Sequence, residues 1–200
     1  AREGRTEPIS IGAVLDPLRE QPRLIGLLAV IAISGFGQSA LDTLLPLYIP
    51  TLDLGGRESL FFTGVVFSAS GVATVIAASG WGRVANVYGP RRILALCLGA
   101  GGVFFALQGA VQTGWQLTVV RFLLGLCMGG LLPVASAAIS AALPASRQGR
   151  GFGLSYSASF LGSVLGPLAG GVVGTALGLP PFFFLSAALM AGACFWLALT

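Results

Sequence analysis

The chain of 200 residues carries only 11 basic and 7 acidic side chains and no histidine, and 55% of its residues are hydrophobic. With a mean hydropathy of +0.89, it has too few polar residues for the surface of a water-soluble globule, whereas apolar stretches of about 20 residues suffice to span a bilayer. We therefore expect an all-α polytopic membrane protein. The lack of histidine excludes Ser-His and His-metal chemistry, and no set of acid, base and nucleophile indicates an enzyme.

Six apolar stretches along the chain predict six transmembrane helices. They run from Leu24 to Tyr48, Leu60 to Trp81, Ile93 to Val111, Trp115 to Ala142, Gly151 to Leu177 and Phe182 to Leu199. Residues 1–23 are polar, with balanced charges, and form a leading segment, whereas residues 24–200 form one helical bundle. The missing initiator methionine and the end of the chain directly after the last stretch suggest a piece of a longer protein.

The three cysteines, Cys97, Cys127 and Cys194, all lie inside apolar stretches, at unrelated spacings. An odd number of cysteines without a metal-ligand spacing predicts neither a disulfide framework nor a metal site. We interpret the three thiols as small apolar packing groups, and we expect no cofactor and no metal.

The arginines predict the orientation of the bundle. Four precede the first helix, three follow the second (Arg83, Arg91 and Arg92), and two follow the fourth (Arg147 and Arg150), all on one side of the array. The positive-inside rule places that side, and with it both termini, in the cytoplasm. We expect a multi-pass protein of the plasma membrane, most simply the inner membrane of a bacterium. The net charge of +4 reflects this bias and is no indication of nucleic-acid binding.

Two charged residues fall inside predicted helices, Asp42 in the first and Arg121 in the fourth. Each lies six residues from an aromatic residue of the outer interface, Tyr48 and Trp115 respectively, which is roughly 9 Å along a helix. Because they share a depth, they form an ion pair if the two helices are neighbours. Alternatively, Asp42 is hydrated at a flared outer mouth and Arg121 extends to lipid phosphate.

Two predicted helices present a face of small residues. In the fourth helix, Gly125 and Gly129 follow Arg121 at helical spacing and precede Pro133. In the fifth helix, the helix packing and hinge candidates are Gly162, Gly166, Pro167, Gly170 and Gly171. Such faces allow a neighbouring helix to approach closely, and Pro167 removes one helical hydrogen bond. Small-residue stripes also occur in membrane bundles without moving parts.

The connection after the second helix reads Gly-Arg-Val-Ala-Asn-Val-Tyr-Gly-Pro-Arg-Arg from Gly82 to Arg92, which predicts a tight polar turn. It resembles the loop motif of the major facilitator superfamily, although Asn86 stands where that family has aspartate, and Val87 and Pro90 where it has basic residues. The resemblance implies a gating loop formed by Gly82, Asn86, Gly89, Arg91 and Arg92. In that family the aspartate stabilises one of the two alternating-access states. The resemblance therefore implies a weaker stabilisation of that state here, because Asn86 lacks the charge.

Two further motifs resemble the same family. The segment from Arg121 to Gly125 is similar to its fourth-helix arginine motif, and the segment from Gly162 to Gly171 is similar to the fifth-helix motif of its drug:proton antiporters. The twelve-helix transporters of this family are duplicated six-helix units. The altered loop motif and the leading polar segment look like the second unit, so the resemblance implies six transmembrane helices forming the C-terminal half of such a transporter.

By this resemblance, the first and fourth helices line the substrate path, and the proton and substrate cavity would contain Gln38, Asp42, Arg121, Ser136 and Ser140. The expected function is export of hydrophobic or amphipathic small molecules by proton antiport with alternating access. The expected partners are membrane lipid, the substrate, the proton, and the missing N-terminal half or a second copy. A sugar or metabolite carrier of the same superfamily, or a six-helix membrane scaffold without transport, are the alternatives.

Overall fold

The computed structural model describes residues 23–52 and 56–199, and all regular structure in these ranges is helical. The predicted leading segment, apart from Arg23, lies outside the described residues. The α-helices are α1 (Arg23–Tyr48), α2 (Gly56–Tyr88), α3 (Pro90–Gln108), α4 (Gly114–Met128), α5 (Leu131–Ala142), α6 (Ala145–Leu177) and α7 (Leu179–Leu199). A short 3₁₀ turn, Ile49–Thr51, follows α1.

Five segments of the described chain are long and apolar enough to cross a membrane, which confirms the polytopic all-α class. They are Leu24–Thr51, Arg57–Tyr88, Pro90–Gln108, Gly114–Ala142 and Ala145–Gly174. The fourth segment contains both α4 and α5, so these two helices together form one span. The sixth predicted helix is α7, whose apolar part among the described residues, Pro181–Leu197, is shorter than the other five.

The prediction of a polar turn from Gly82 to Arg92 is wrong. Helix α2 continues to Tyr88 and α3 begins at Pro90, so Gly89 alone separates them, with a φ of +89° that favours glycine. Gly82 and Asn86 are therefore helical, and Arg91 and Arg92 lie in the first turn of α3. Pro90 occupies the first helical position, where its missing N–H costs nothing.

The prediction that the fifth helix starts at Gly151 is also wrong, because α6 begins six residues earlier at Ala145. The connection that carries Arg147 and Arg150 is thus helical. A loss of apolar character marks where a helix leaves the hydrocarbon core, and the backbone can stay helical beyond that point because each N–H still finds its carbonyl partner.

The helices pack mainly as three pairs, α1 along α6, α2 along α4, and α3 along α7. The first pair meets at the predicted glycine face of α6. A Cβ atom built on Gly162 or Gly166 would come under 3.0 Å from main-chain atoms of α1, at Ala32 and Phe36 respectively. The two backbones are therefore in direct contact, which is how helices gain packing energy in lipid.

Two other residues of the predicted face behave differently. A Cβ on Gly171 would meet no heavy atom within 4 Å, because consecutive residues point about 100° apart around a helix. A side chain at Gly171 would therefore have open space. Helix α6 also continues through Pro167 to Leu177 without interruption.

The second pair, α2 and α4, meets at the small residues of the fourth span. A Cβ on Gly125 would lie 2.7 Å from the carbonyl oxygen of Ser70, and one on Gly129 would lie 2.6 Å from that of Thr74. This contact fixes the rotation of α4 about its axis. It thereby also fixes the direction of Arg121, one turn before Gly125.

The fourth span is irregular between α4 and α5. Gly129 and Gly130 keep near-helical dihedral angles, but Pro133 has no N–H, so the carbonyl of Gly129 lacks its usual partner four residues on. The indole N–H of Trp81 donates to the carbonyl oxygen of Leu126 at 2.6 Å, and its ring lies against Gly130. A side chain of α2 thus supports the backbone at this irregularity.

Candidate transport site

Arg121 and Asp42 form an ion pair inside the bundle. The Nη2 atom of Arg121 donates to Oδ1 of Asp42 at 2.7 Å, and the two side chains are 2% and 46% exposed. The guanidinium carbon also lies 5.9 Å from the centre of the Phe67 ring, within range of a cation–π contact. The geometry corresponds to the paired alternative of the sequence analysis, and the carboxylate offsets part of the cost of burying the guanidinium.

The pair joins helices that belong to different packing pairs. Asp42 lies on α1, which packs along α6, whereas Arg121 lies on α4, which packs along α2. The Nε atom of Arg121 is buried without a hydrogen-bond partner among the described residues. Among the described residues, the carboxylate of Asp42 is therefore the acceptor on which the buried guanidinium depends.

A cavity of about 190 Å³ lies between α1, the α4–α5 junction and α6. Among the described residues that form its wall, none has an ionisable side chain. The polar lining residues are Ser34, Gln38, Ser39, Ser159 and Ser163. The apolar ones are Ile31, Met128, Leu131 and Leu132. Small-molecule sites are usually lined mainly by apolar side chains with a few polar groups, whereas about half of the residues in this wall are polar.

The predicted cavity residues separate into two groups. Gln38 lines the cavity, and Asp42 follows it one turn later on α1, roughly 6 Å along the axis, with Arg121 as its partner. Ser136 and Ser140 on α5 lie outside the lining of this cavity. The carbonyl oxygen of Ser140 accepts a hydrogen bond from the side chain of Gln148 at 3.0 Å, so α5 is connected here to the start of α6.

None of the four cavity serines is among the site residues predicted from the sequence. Ser34 and Gln38 are four residues apart on α1, and Ser159 and Ser163 are four apart on α6, so each pair shares one helix face. The periodicity on α1, continued to Asp42, could have identified Ser34. No pattern within one helix, however, indicates which face of α6 lies opposite.

The predicted gating residues lie where α2 ends and α3 begins. They are not among the residues that line the cavity. The Nε and Nη2 atoms of Arg91 donate to the carbonyl oxygen of Leu197, at 2.9 and 2.8 Å. Arg91 thus connects the start of α3 to the C-terminal part of α7. Its positive charge is also favourable beside the negative end of the α7 helix dipole. Asn86 and Arg92 are exposed.

Within the described ranges, no three cysteine, aspartate or glutamate residues come together as metal ligands. Cys97 and Cys127 are buried free thiols. The third, Cys194, donates to the carbonyl oxygen of Ala95 at 3.2 Å and packs α7 against α3.

Comparison with known proteins identifies the family. Residues 27–200 match the family model described as Major Facilitator Superfamily. The chain belongs to this superfamily. It is 38% identical over 126 residues to the uncharacterized MFS-type transporter YuxJ of Bacillus subtilis, covering 63% of this chain and 32% of that protein. It is 37% identical over 165 residues to the multidrug resistance protein MdtG of Yersinia enterocolitica, covering 82% and 39%.

A third relative is a homologue of the multidrug resistance efflux pump PmrA from Lactococcus lactis, 29% identical over 134 residues, which covers 67% of this chain and 33% of that protein. The chain thus spans between about a third and two fifths of the length of these curated relatives. A solved bacterial homologue of the human lysosomal transporter Spinster, inward-facing and unoccupied, superposes with a TM-score of 0.74 at 14% identity. The match covers 88% of this chain and 42% of that one. The chain therefore has the fold of somewhat less than half of that transporter.

Proposed function

We propose that the chain is the C-terminal half of a secondary transporter that exports hydrophobic or amphipathic small molecules in exchange for protons. The observation that carries this proposal is the Asp42–Arg121 ion pair, one helical turn from a cavity whose described lining residues carry no ionisable group. An acidic residue inside a membrane bundle is a candidate for proton transfer. The printed names of two relatives, a multidrug resistance protein and a multidrug efflux pump homologue, support the substrate class.

In the proposed cycle, Asp42 alternates between two states. As a carboxylate it accepts the hydrogen bond from Arg121, and about half of its surface is accessible, so that a proton can reach it. Protonation removes its charge and weakens the link between α1 and α4. The ion pair would thus respond to the proton gradient, while the adjacent cavity holds the substrate.

The cavity is smaller than the roughly 300–1,000 Å³ of sites for drug-sized ligands, at about 190 Å³. It therefore accommodates one end of such a molecule. A second six-helix half, either the N-terminal unit or another copy of the chain, would supply the remaining wall. Alternating access would then consist of rocking between the two halves, in a plasma membrane with both termini of this chain in the cytoplasm.

A sugar or metabolite carrier is the second candidate, because four serines and one glutamine line the cavity. The two candidates differ in the predicted role of charge: a proton antiporter for amphipathic cations needs Asp42 for coupling, whereas an uncoupled carrier of neutral polar molecules does not.

The test is proton-driven uptake of ethidium by inverted membrane vesicles that contain the chain together with a complementary six-helix half. We expect uptake that collapses with the proton gradient and is lost in Asp42→Asn. The matched control is Glu58→Gln, which neutralises an exposed carboxylate near the start of α2 and should leave uptake unchanged. Gradient-independent uptake of a labelled sugar would favour the second candidate, and no transport by correctly inserted protein would favour a scaffold.

A further inference from the structure

Phe67 is the aromatic neighbour of the buried arginine. The centre of its ring lies 5.9 Å from the guanidinium carbon of Arg121, and the negative face of an aromatic ring attracts a cation at this distance. The same guanidinium donates to the carboxylate of Asp42, while its Nε atom is buried without a partner among the described residues. Within the described ranges, the charge of Arg121 is thus stabilised by one carboxylate and one ring.

The carboxylate and the ring belong to different packing pairs of the bundle. Phe67 lies on α2, whose backbone contacts that of α4, since a Cβ atom on Gly125 would lie 2.7 Å from the carbonyl oxygen of Ser70. Phe67 and Arg121 each lie about one turn before this contact, which fixes them side by side. Asp42 lies instead on α1, which packs along α6. A shift between the two pairs would therefore separate Arg121 from Asp42 and leave it beside Phe67.

The contribution of the ring depends on the charge of Asp42. While Asp42 is a carboxylate, it neutralises the guanidinium, and the ring faces an ion pair without net charge. Once Asp42 is protonated, the ring faces an uncompensated cation whose side chain is only 2% exposed. A cation–π contact is stronger when the cation is desolvated. The ring therefore stabilises the protonated state more than the ionised state.

We propose that Phe67 is a positioning residue that holds Arg121 in place while Asp42 is protonated. The inference rests on the proposed function and identifies the group that makes the broken ion pair less costly. Phe67 is not among the residues that line the cavity, so it acts through Arg121 and not on the substrate. The ring keeps the guanidinium within reach of Asp42, and the ion pair re-forms when the proton leaves.

A double-mutant cycle between Phe67 and Asp42 tests this role in the purified chain. Asp42→Asn mimics the protonated carboxyl group, because the amide is neutral and has nearly the same shape. We expect Phe67→Leu to lower the equilibrium constant of folding about fivefold in the Asp42→Asn background and only about twofold in the unaltered chain, the range of desolvated and neutralised cation–π contacts.

Two further substitutions show whether the π face is responsible. Trifluorophenylalanine at position 67 keeps the size of the ring but weakens its negative face, so it should reproduce the difference between the two backgrounds with little change in packing. Phe160→Leu, at an exposed ring of α6, is the matched control and should have the same effect in both backgrounds.

The transport assay separates positioning from substrate binding. In vesicles that also contain a complementary half, we expect Phe67→Leu to lower the kcat of proton-driven ethidium uptake about fivefold, because the protonated state is reached less often. The KM for ethidium should not change. Phe67→Tyr, which keeps the aromatic face, should retain the rate.

An equal effect of Phe67→Leu in the two Asp42 backgrounds would overturn the inference, as would an equal effect of the fluorinated ring. A kcat that Phe67→Leu leaves unchanged, with or without a raised KM, would also overturn it. Loss of transport in Asp42→Asn together with equal effects in the cycle would leave the proposed function intact and remove only the role of Phe67. A coupled cycle without proton-driven transport would remove the proposed function and keep the charge-dependent contact.

Discussion

The ion pair makes an asymmetric prediction about stability. Replacing Asp42 by leucine leaves the guanidinium of Arg121, which is only 2% exposed, without its carboxylate. Replacing Arg121 by leucine instead leaves a carboxylate that is 46% exposed and can be hydrated. We therefore expect Asp42→Leu to destabilise the bundle more than Arg121→Leu, although both remove the same interaction.

The magnitudes follow from the exposure of each partner. Removing one member of a fully buried pair costs about 3–5 kcal/mol, and water at the exposed side of Asp42 reduces this, so we expect about 2–3 kcal/mol for Asp42→Leu. For Arg121→Leu we expect about 1 kcal/mol, because solvation of the remaining carboxylate offsets the loss. The double variant should cost less than the sum of the single ones, since two leucines remove both charges of the pair and leave neither unpartnered.

The assay is equilibrium unfolding in mixed micelles with increasing dodecyl sulfate, followed by circular dichroism, for the four members of this double-mutant cycle. Arg83→Leu, which removes an exposed arginine of α2, is the control and should change the free energy of unfolding by less than about 0.5 kcal/mol. The reasoning would be refuted by additive single effects, or by a larger cost for Arg121→Leu than for Asp42→Leu.

Two further predictions concern packing and can be measured in the same titration. Gly162→Val should destabilise by about 2 kcal/mol or more, because its side chain would overlap the backbone of α1; Gly171→Val, at a position with open space, should stay within about 0.5 kcal/mol. Tyr48→Phe should cost about 1 kcal/mol, since the Tyr48 hydroxyl donates to the carbonyl oxygen of Gln108 at 3.0 Å. Tyr156→Phe, which alters an exposed ring, should be neutral, and equal effects of the two tyrosine variants would contradict the assigned hydrogen bond.

The helices and the shared depth of Asp42 and Arg121 could be predicted from the sequence because each depends on one-dimensional information, whereas the sequence left open whether the two residues are paired. Apolar length gives the spans, and the equal distances of Asp42 and Arg121 from interfacial aromatics give their shared depth. Helix ends were predicted less well, as the continuation of α2 to Tyr88 shows, because polar residues end the membrane span without ending the helix. Gly89, with its positive φ, determines the actual boundary.

The cavity could not be predicted in the same way. Ser34 and Ser159 line it from helices that are far apart in sequence, and they face each other only because Gly35 lets α6 approach. A Cβ on Gly35 would lie 2.8 Å from the carbonyl oxygen of Ser159. The small-residue pattern predicts close approach of some helix, but the identity of that helix follows from the packing of the whole bundle.

The packing also indicates where a transport cycle could act on this half. Backbone contacts at Gly162 and Gly125 leave no space for a Cβ atom, so α1 with α6, and α2 with α4, each form a closely packed unit. The contact between these units at Asp42 and Arg121 consists of side chains, and in the proposed cycle protonation of Asp42 weakens it. The cavity opens at the same boundary, with α1 and α6 on one side and the α4–α5 junction on the other. In the proposed cycle, the proton and the substrate therefore act on the same interface. Coupling between them does not require a long path through the protein.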